Sequence, residues 1–314
     1  MICTDLIHGI VRNTVPEREF VVALGNFDGV HVAHQKLIRL ACSLRDRLFP
    51  DAAVAAWFFS ELPETYLPVP PVERLTDESE KQKLLLTAGA EYTFSYPFPE
   101  LRNLSPEQFC QKILLSECHA RGAVCGYNFR FGKYASGTPE LLRSVFPGAF
   151  EELPEVRMNG KTVSSTAVRQ SLKNGMVETA NQMLGHSFSL TAPVAHGKHL
   201  GTSLGIPTVN LAFPAGMLIP RHGVYATETL IDGQHYPSVS NVGVRPTVEK
   251  TNAANCETYV IGYSGDLYGK NVTVSFYRFL REERRFESVE QLQAAIRADI
   301  RTTEDLFRKQ LKTT

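Results

Sequence analysis

The feature that most constrains this chain is a change of pattern near residue 184. Before it, short apolar runs alternate with amphipathic helical stretches. After it, short β-rich runs follow one another with turn signals between them. Strand and helix in alternation build a layered parallel sheet, whereas successive short strands build a sandwich or barrel. One sheet cannot bury both patterns, so the chain is expected to form an α/β domain over residues 1–184 and an all-β domain over 185–314.

The first pattern predicts strands at Phe20–Leu24, Ala52–Phe59, Ala90–Phe98 and Ala123–Gly126, with helices between them. Leu37, Leu40, Ala41 and Leu44 mark one helical face. Ser105-Pro106-Glu107-Gln108 is a capping box with proline at the first helical position. The expected fold is a doubly wound parallel sheet, which takes ligands at the carboxyl ends of its strands. The second pattern predicts strands at Val224–Ile231, Tyr236–Val242, Glu257–Tyr263 and Val272–Phe279, then one long helix from Ser288. Asp232-Gly233 and Ser264-Gly265 are its turn signals. This reads as a small antiparallel β-barrel with a terminal helix.

Composition narrows the function. With 314 residues the chain is long enough for two cores. Lys plus Arg and Asp plus Glu are each 33, so the net charge is zero. A nucleic-acid or anionic-membrane partner held by long-range attraction is therefore not expected. The six cysteines form no CxxC pair and fit neither a zinc site nor a disulfide scaffold. Free thiols suit a reducing compartment. The amino terminus, MICTDLIHGIV, lacks the pattern of a signal peptide, and no apolar run is long enough to span a bilayer. The expected location is the cytoplasm.

Two segments carry chemistry. The first is Gly25-Asn26-Phe27-Asp28-Gly29-Val30-His31-Val32-Ala33-His34, directly after the first strand. Its glycines permit a tight turn into a helix amino terminus, where free N–H groups and the helix dipole favour phosphate. His31 and His34 share one face of that first turn. Two imidazoles there can hydrogen-bond the phosphates of ATP as charge moves to a leaving pyrophosphate. This segment resembles the HxGH motif of nucleotidyltransferases, in the form found in bifunctional riboflavin kinase/FAD synthetases. Gly126-Tyr127-Asn128-Phe129-Arg130-Phe131-Gly132 and Val163-Ser164-Ser165-Thr166-Ala167-Val168-Arg169 resemble two further segments of that family. The resemblance implies a nucleotidyltransferase-like sheet that carries FMN adenylyltransferase activity. It assigns catalysis to His31 and His34, and nucleotide binding to Asn26, Phe27, Asp28, Asn128, Ser165, Thr166 and Arg169. One departure is Ala33, where the family has Gly between the histidines.

The second segment is Gly197-Lys198-His199-Leu200-Gly201-Thr202-Ser203-Leu204-Gly205-Ile206-Pro207-Thr208-Val209-Asn210. Gly197, Gly201 and Gly205 read as a flap whose N–H groups cover ATP phosphates. Thr208 and Asn210 offer oxygen ligands, which suit Mg²⁺. The segment resembles the PTxN signature of riboflavin kinases. Asn241 to Thr247, Glu257-Thr258, Leu267 to Lys270 and Leu280 to Phe286 match the same family in order. The resemblance implies Mg²⁺ on Thr208 and Asn210, ATP under the flap, and Glu257 as general base. Arg281 and Phe286 are the flavin-binding candidates, with Leu292 beside them. Departures are Thr202 in the flap and Ala192 at the barrel entry.

The expected substrates are riboflavin, FMN and ATP, with Mg²⁺ as cofactor. Riboflavin is phosphorylated in the second domain and FMN adenylylated in the first. Two alternatives stand beside this one. Ala33 could silence the first domain, leaving a kinase that makes FMN without FAD. A flavin-binding sensor would bind without turnover, but such a protein has no use for a proton acceptor such as Glu257. Oligomeric state is not legible.

Overall fold

The five residues of β3 (Phe20–Leu24) are all buried and hydrogen-bonded on both sides, which is why they read as one apolar run. The structure, a computed structural model, describes residues 1–195, 207–244 and 254–311. It divides into two compact units, Met1–Ser165 and Thr166–Thr314.

In the first unit β3 lies between β4 (Ala53–Phe59) and β6 (Ala120–Gly126), both parallel to it. β5 (Tyr92–Tyr96) pairs parallel beyond β4, and β7 (Ala149–Leu153) parallel beyond β6. A hairpin of β1 (Ile2–Asp5) and β2 (Ile10–Arg12) adds antiparallel strands at the β5 edge. The strand order is therefore β2-β1-β5-β4-β3-β6-β7. The parallel part agrees with the sequence reading, and the antiparallel edge is an addition to it. The chain grows away from β3 on one side and then returns to grow on the other. This reversal is the topological switch point at which doubly wound sheets bind ligands.

Alternate residues of β3 face two cores. Val21 and Ala23 pack with Leu37, Ile38, Ala41 and Leu44 of α1 (Val32–Leu48) and with Leu85 of α2 (Glu78–Ala88). Phe20, Val22 and Leu24 pack with Trp57, Phe94, Phe109 and Ile113 on the other face. After the short helix α3 (Phe98–Leu101), α4 (Pro106–Gln108) begins with the expected capping box and continues as a π-helix, Phe109–Glu117. α5 (Pro139–Val145) precedes β7, and a small ribbon of β8 (Arg157–Met158) and β9 (Lys161–Thr162) follows it.

α6 (Ser165–Lys173) starts on the last residue of the first unit, and the rest of it, with α7 (Val177–Leu184), opens the second. Six antiparallel strands follow: β10 (Ser189–Pro193), β11 (Val209–Ala212), β12 (Gly223–Ile231), β13 (Gln234–Val244), β14 (Ala254–Val260) and β15 (Asn271–Arg281). Their order is β10-β15-β12-β13-β14-β11, and a bridge between Ala195 and Asn210 brings the two outer strands together. The result is a nearly closed barrel. β14 alternates strictly, with Ala254, Cys256, Thr258 and Val260 buried inside and Asn255, Glu257 and Tyr259 outside. The interior is partly polar: Thr227, Ser238, Ser240 and Thr258 are buried and satisfy one another through hydroxyl hydrogen bonds.

Asn181 of α7 donates to the Phe276 carbonyl and accepts from the Phe188 N–H, so α7 is fastened to β15 although it ends at residue 184. The terminal helix α8 (Val289–Leu311) follows β15, and Phe307 packs edge-on against Tyr277 at 5.0 Å. No helix among the described residues is long and apolar enough to cross a membrane. All six cysteines are free thiols. Burial raises Cys118 and Cys125 to about 12, which keeps them protonated and inert.

Candidate active sites

The loop after β3 lies at the switch point and is stapled from several directions. Phe27 has φ 52°, Gly29 φ 78° and Val30 φ 36°. Gly29 meets that demand freely, whereas Val30 is strained there. The strain is held by named bonds. The Asp28 carboxylate accepts from the Leu75 N–H at 2.9 Å, and Thr76 Oγ1 accepts from the Gly29 N–H at 3.3 Å. Ser165 Oγ donates to the Asp28 carbonyl at 2.8 Å, and Gln35 donates to the Val30 carbonyl at 2.9 Å. The Phe27 ring is fully buried in the core. Asp28 and Phe27 thus hold the loop in shape, and Asn26 stays half-exposed within it.

His31 is the N-cap of α1: its Nδ1 accepts from the His34 N–H at 3.3 Å. With Nδ1 an acceptor, the neutral ring carries its proton on Nε2. The two imidazoles stack at 3.6 Å with planes 12° apart. His34 Nδ1 is buried without a hydrogen-bond partner. Burial, helped by the nearby His31 and Lys81, holds the His34 pKa well below the ordinary histidine range. Both rings therefore lie at the amino end of α1, where phosphate is favoured, and His34 is neutral near pH 7.

That depressed pKa has a sign. Below about pH 6.5 the unfolded chain gains a proton that folded His34 resists. Its contribution to stability is complete above about 6.5 and is lost as pH falls toward the folded pKa. Thermal unfolding between about pH 5 and 8 should show a steeper acid loss for the wild type than for His34→Gln. Equal slopes would remove His34 from the account.

The first unit also holds a cavity of about 560 Å³ lined by Trp57, Phe59, Phe98, Phe109, Phe129 and Phe131. Phe129 and Phe131 stack at 5.7 Å, and the buried Trp57 indole N–H has no partner. Gly132, with φ 71°, has no room for a side chain, because a Cβ would lie 2.9 Å from the Pro106 nitrogen. The sequence reading missed this aromatic slot. Its signal was Trp57 and Phe59, two apart on one face of β4 at its carboxyl end. Asn128 is exposed in the loop after β6. Thr166, exposed, and Arg169, half-buried, stand on α6 in the second unit.

In the second unit a cleft of about 390 Å³ lies between the barrel wall and α8. Thr208 and Glu257 line it from β11's approach and from β14, and Phe286, Leu292 and Ile296 line it opposite. Thr208 Oγ1 donates to Glu257 Oε1 at 2.6 Å. Asn210 is directly opposite Glu257 in the β11–β14 register, and its Oδ1 accepts from Asn255 at 2.9 Å. Thr208 and Glu257 place two hydrogen-bonded oxygen donors in the cleft, and Asn210 pairs with Glu257 from the neighbouring strand. Such a set suits a hard cation that keeps waters and substrate phosphates as its other ligands. Among the described residues no cluster of three or more His, Cys, Asp or Glu offers a fuller protein cage.

Arg281 and Phe286, expected at a flavin site, both line this cleft, as does Leu292. The Arg281 and Arg284 guanidinium groups lie 5.6 and 4.8 Å from the Phe286 ring centre. The sequence reading missed Asp299, whose signal is position: Leu292, Ile296, Asp299 and Thr303 follow helical spacing, and this stripe carries one carboxylate. Gly197, Gly201 and Gly205, with Lys198, His199 and Thr202, lie outside the described residues, as do Arg245 to Thr247.

Comparisons with known proteins follow the same division. A family model for FAD synthetase matches residues 14–167, and one for riboflavin kinase matches residues 184–307. A bifunctional riboflavin kinase/FMN adenylyltransferase of Pseudomonas fluorescens is 35% identical over 94% of this chain and 96% of its own length. That of Escherichia coli strain K12 is 32% identical, covering 96% of this chain and 97% of its own. A solved structure from Streptococcus pneumoniae, described as a macrolide-efflux protein, aligns with a TM-score of 0.85. It is 28% identical and covers 93% of this chain and 96% of its own. With a candidate cleft in each of two units and relatives matched along nearly their whole length, this chain belongs to the bifunctional riboflavin kinase/FMN adenylyltransferase family.

Proposed function

We propose that the chain makes FAD from riboflavin in two ATP-dependent steps, one in each unit. In the second unit the riboflavin 5′-hydroxyl attacks the γ-phosphorus of ATP. Its O–P bond forms as the bond to the β-phosphate oxygen breaks, ADP leaves, and Glu257 takes the hydroxyl proton. In the first unit an FMN phosphate oxygen attacks the α-phosphorus of ATP, and pyrophosphate leaves. His31 donates Nε2–H to the phosphates as charge builds on the leaving group, and neutral His34 stacks beside it. Asn128 and Ser165 are the further nucleotide ligands of that unit, with Asn26, Phe27 and Asp28 shaping the loop, while Thr166 and Arg169 stay nucleotide-binding candidates by resemblance alone. The proposed FMN adenylyltransferase domain is residues 1–184 and the proposed riboflavin kinase domain 185–314; of the former, residues 166–184 belong to the second compact unit.

Magnesium bound by Thr208 and Asn210 would neutralise phosphate charge in the kinase step. The aromatic slot of the first unit fits the flat flavin ring of FMN. In the kinase cleft Phe286 and Leu292 supply the apolar wall for riboflavin.

The observation that carries the kinase assignment is the Glu257 carboxylate, held by Thr208 at 2.6 Å in a cleft with an apolar far wall. The test is to incubate the protein with riboflavin, ATP and Mg²⁺ and to separate the flavins over time. FMN should accumulate first and FAD after it. FMN alone would overturn the assignment of the first unit, as Ala33 would have it. No product from folded protein would overturn both and leave a binding protein.

A further inference from the structure

Arg281 ends β15 at the kinase cleft, and each of its three guanidinium nitrogens makes a hydrogen bond. Nε approaches both Asp299 oxygens, at 3.1 and 3.3 Å, and Nη2 donates to Asp299 Oδ2 at 2.9 Å. Nη1 donates to the Glu282 carbonyl at 3.3 Å. Asp299 is 7% exposed, so this two-pronged pair is largely withdrawn from water. Forked Arg–carboxylate pairs fix a guanidinium plane as well as neutralising its charge. Here the fixed plane lies beside the Phe286 ring, with Arg284 as that ring's second cationic neighbour.

The same cleft contains Glu257 and Glu283. An Arg281 released from Asp299 would find these carboxylates as alternative partners, and one of them is the proton acceptor. We infer that Asp299 is a positioning residue for riboflavin, acting from α8 through Arg281 to set the Phe286 wall, an inference resting on the assignment of this cleft to riboflavin. Arg281 then contributes a flat, neutralised surface in place of a free charge. This suits an uncharged isoalloxazine ring, which needs stacking area more than a counter-ion. It also makes α8 part of the substrate site, where barrel residues alone would leave it one-sided.

The test is a cycle of Asp299→Asn, Arg281→Gln and the double variant, read as KM for riboflavin and kcat for FMN formation. Asp299→Asn should raise KM about 10- to 100-fold, with kcat at saturating riboflavin much less affected. A purely structural role would instead lower kcat through lost folded protein and leave KM unchanged. The double variant should be no worse than the worse single one, because the two residues act as one unit. Asp299→Glu keeps the charge but shifts the fork, and should give an intermediate KM. It also serves as the test if Asp299→Asn does not fold. An unchanged KM in Asp299→Asn beside a raised KM in Arg281→Gln would overturn the clamp and leave the cleft assignment standing. An unchanged KM in both would overturn the cleft assignment itself.

Discussion

Glu257→Gln should lower the rate of FMN formation about 10²- to 10⁴-fold while leaving adenylylation of added FMN at the wild-type rate. The substitution is nearly isosteric. Its amide oxygen still accepts from Thr208 Oγ1, the bond that holds Glu257 at 2.6 Å. Glu257 also lies on β14 between β13 and β11, a rigid mount that the change does not disturb. On the proposed role of Glu257 what disappears is the proton acceptor, so the loss should fall on kcat, with little change in KM for riboflavin. An unaltered kcat would show that another group takes the hydroxyl proton. Loss of both activities together would show that the substitution acts on folding.

His31→Ala should do the opposite, lowering FAD formation about 10²- to 10³-fold with FMN formation intact. The complication is that His31 also caps α1 through Nδ1. Losing a cap costs about 0.5–2 kcal/mol, so some decrease could come from a frayed helix. His31→Asn separates the two effects. Asparagine is a good N-cap and should restore thermal stability, but it cannot place an N–H where the imidazole Nε2 was. Stability should recover and adenylylation should not. If His31→Asn regained adenylylation along with stability, the imidazole would be a cap and nothing more.

Much of the fold is legible in the amino-acid sequence. Phe20–Leu24 is buried on both faces, so its sequence is continuously apolar. The Ser105 cap and the Asp232-Gly233 turn, with φ 47° and 82°, are local devices that local sequence reveals. The hairpin of β1 and β2 escapes such a reading because β2 is three residues long and wholly exposed, with no apolar pattern to betray it. Helix α7 falls with the first pattern by its position in the chain. Its partners, the Phe276 carbonyl and the Phe188 N–H, come from the barrel.

At the sites, the histidines and Glu257 stand out because their chemistry is rare at such positions. Phe27 and Asp28 are singled out with them, but their side chains turn inward to the core and to Leu75. Those directions depend on a positive φ at Phe27 that no residue type announces. Asp299 escapes notice because its partner Arg281 is 18 residues away and meets it only through the barrel.

The most direct measurement of two independent active sites on one chain is complementation. Neither Glu257→Gln nor His31→Ala alone should convert riboflavin to FAD. An equimolar mixture should form FMN first and then FAD, since the kinase site of one variant feeds the adenylyltransferase site of the other. A mixture that makes FMN but no FAD, while Glu257→Gln alone adenylylates added FMN, would contradict free transfer of FMN between two self-sufficient sites. A mixture that makes neither flavin would contradict the assignment of the two chemistries to these two units.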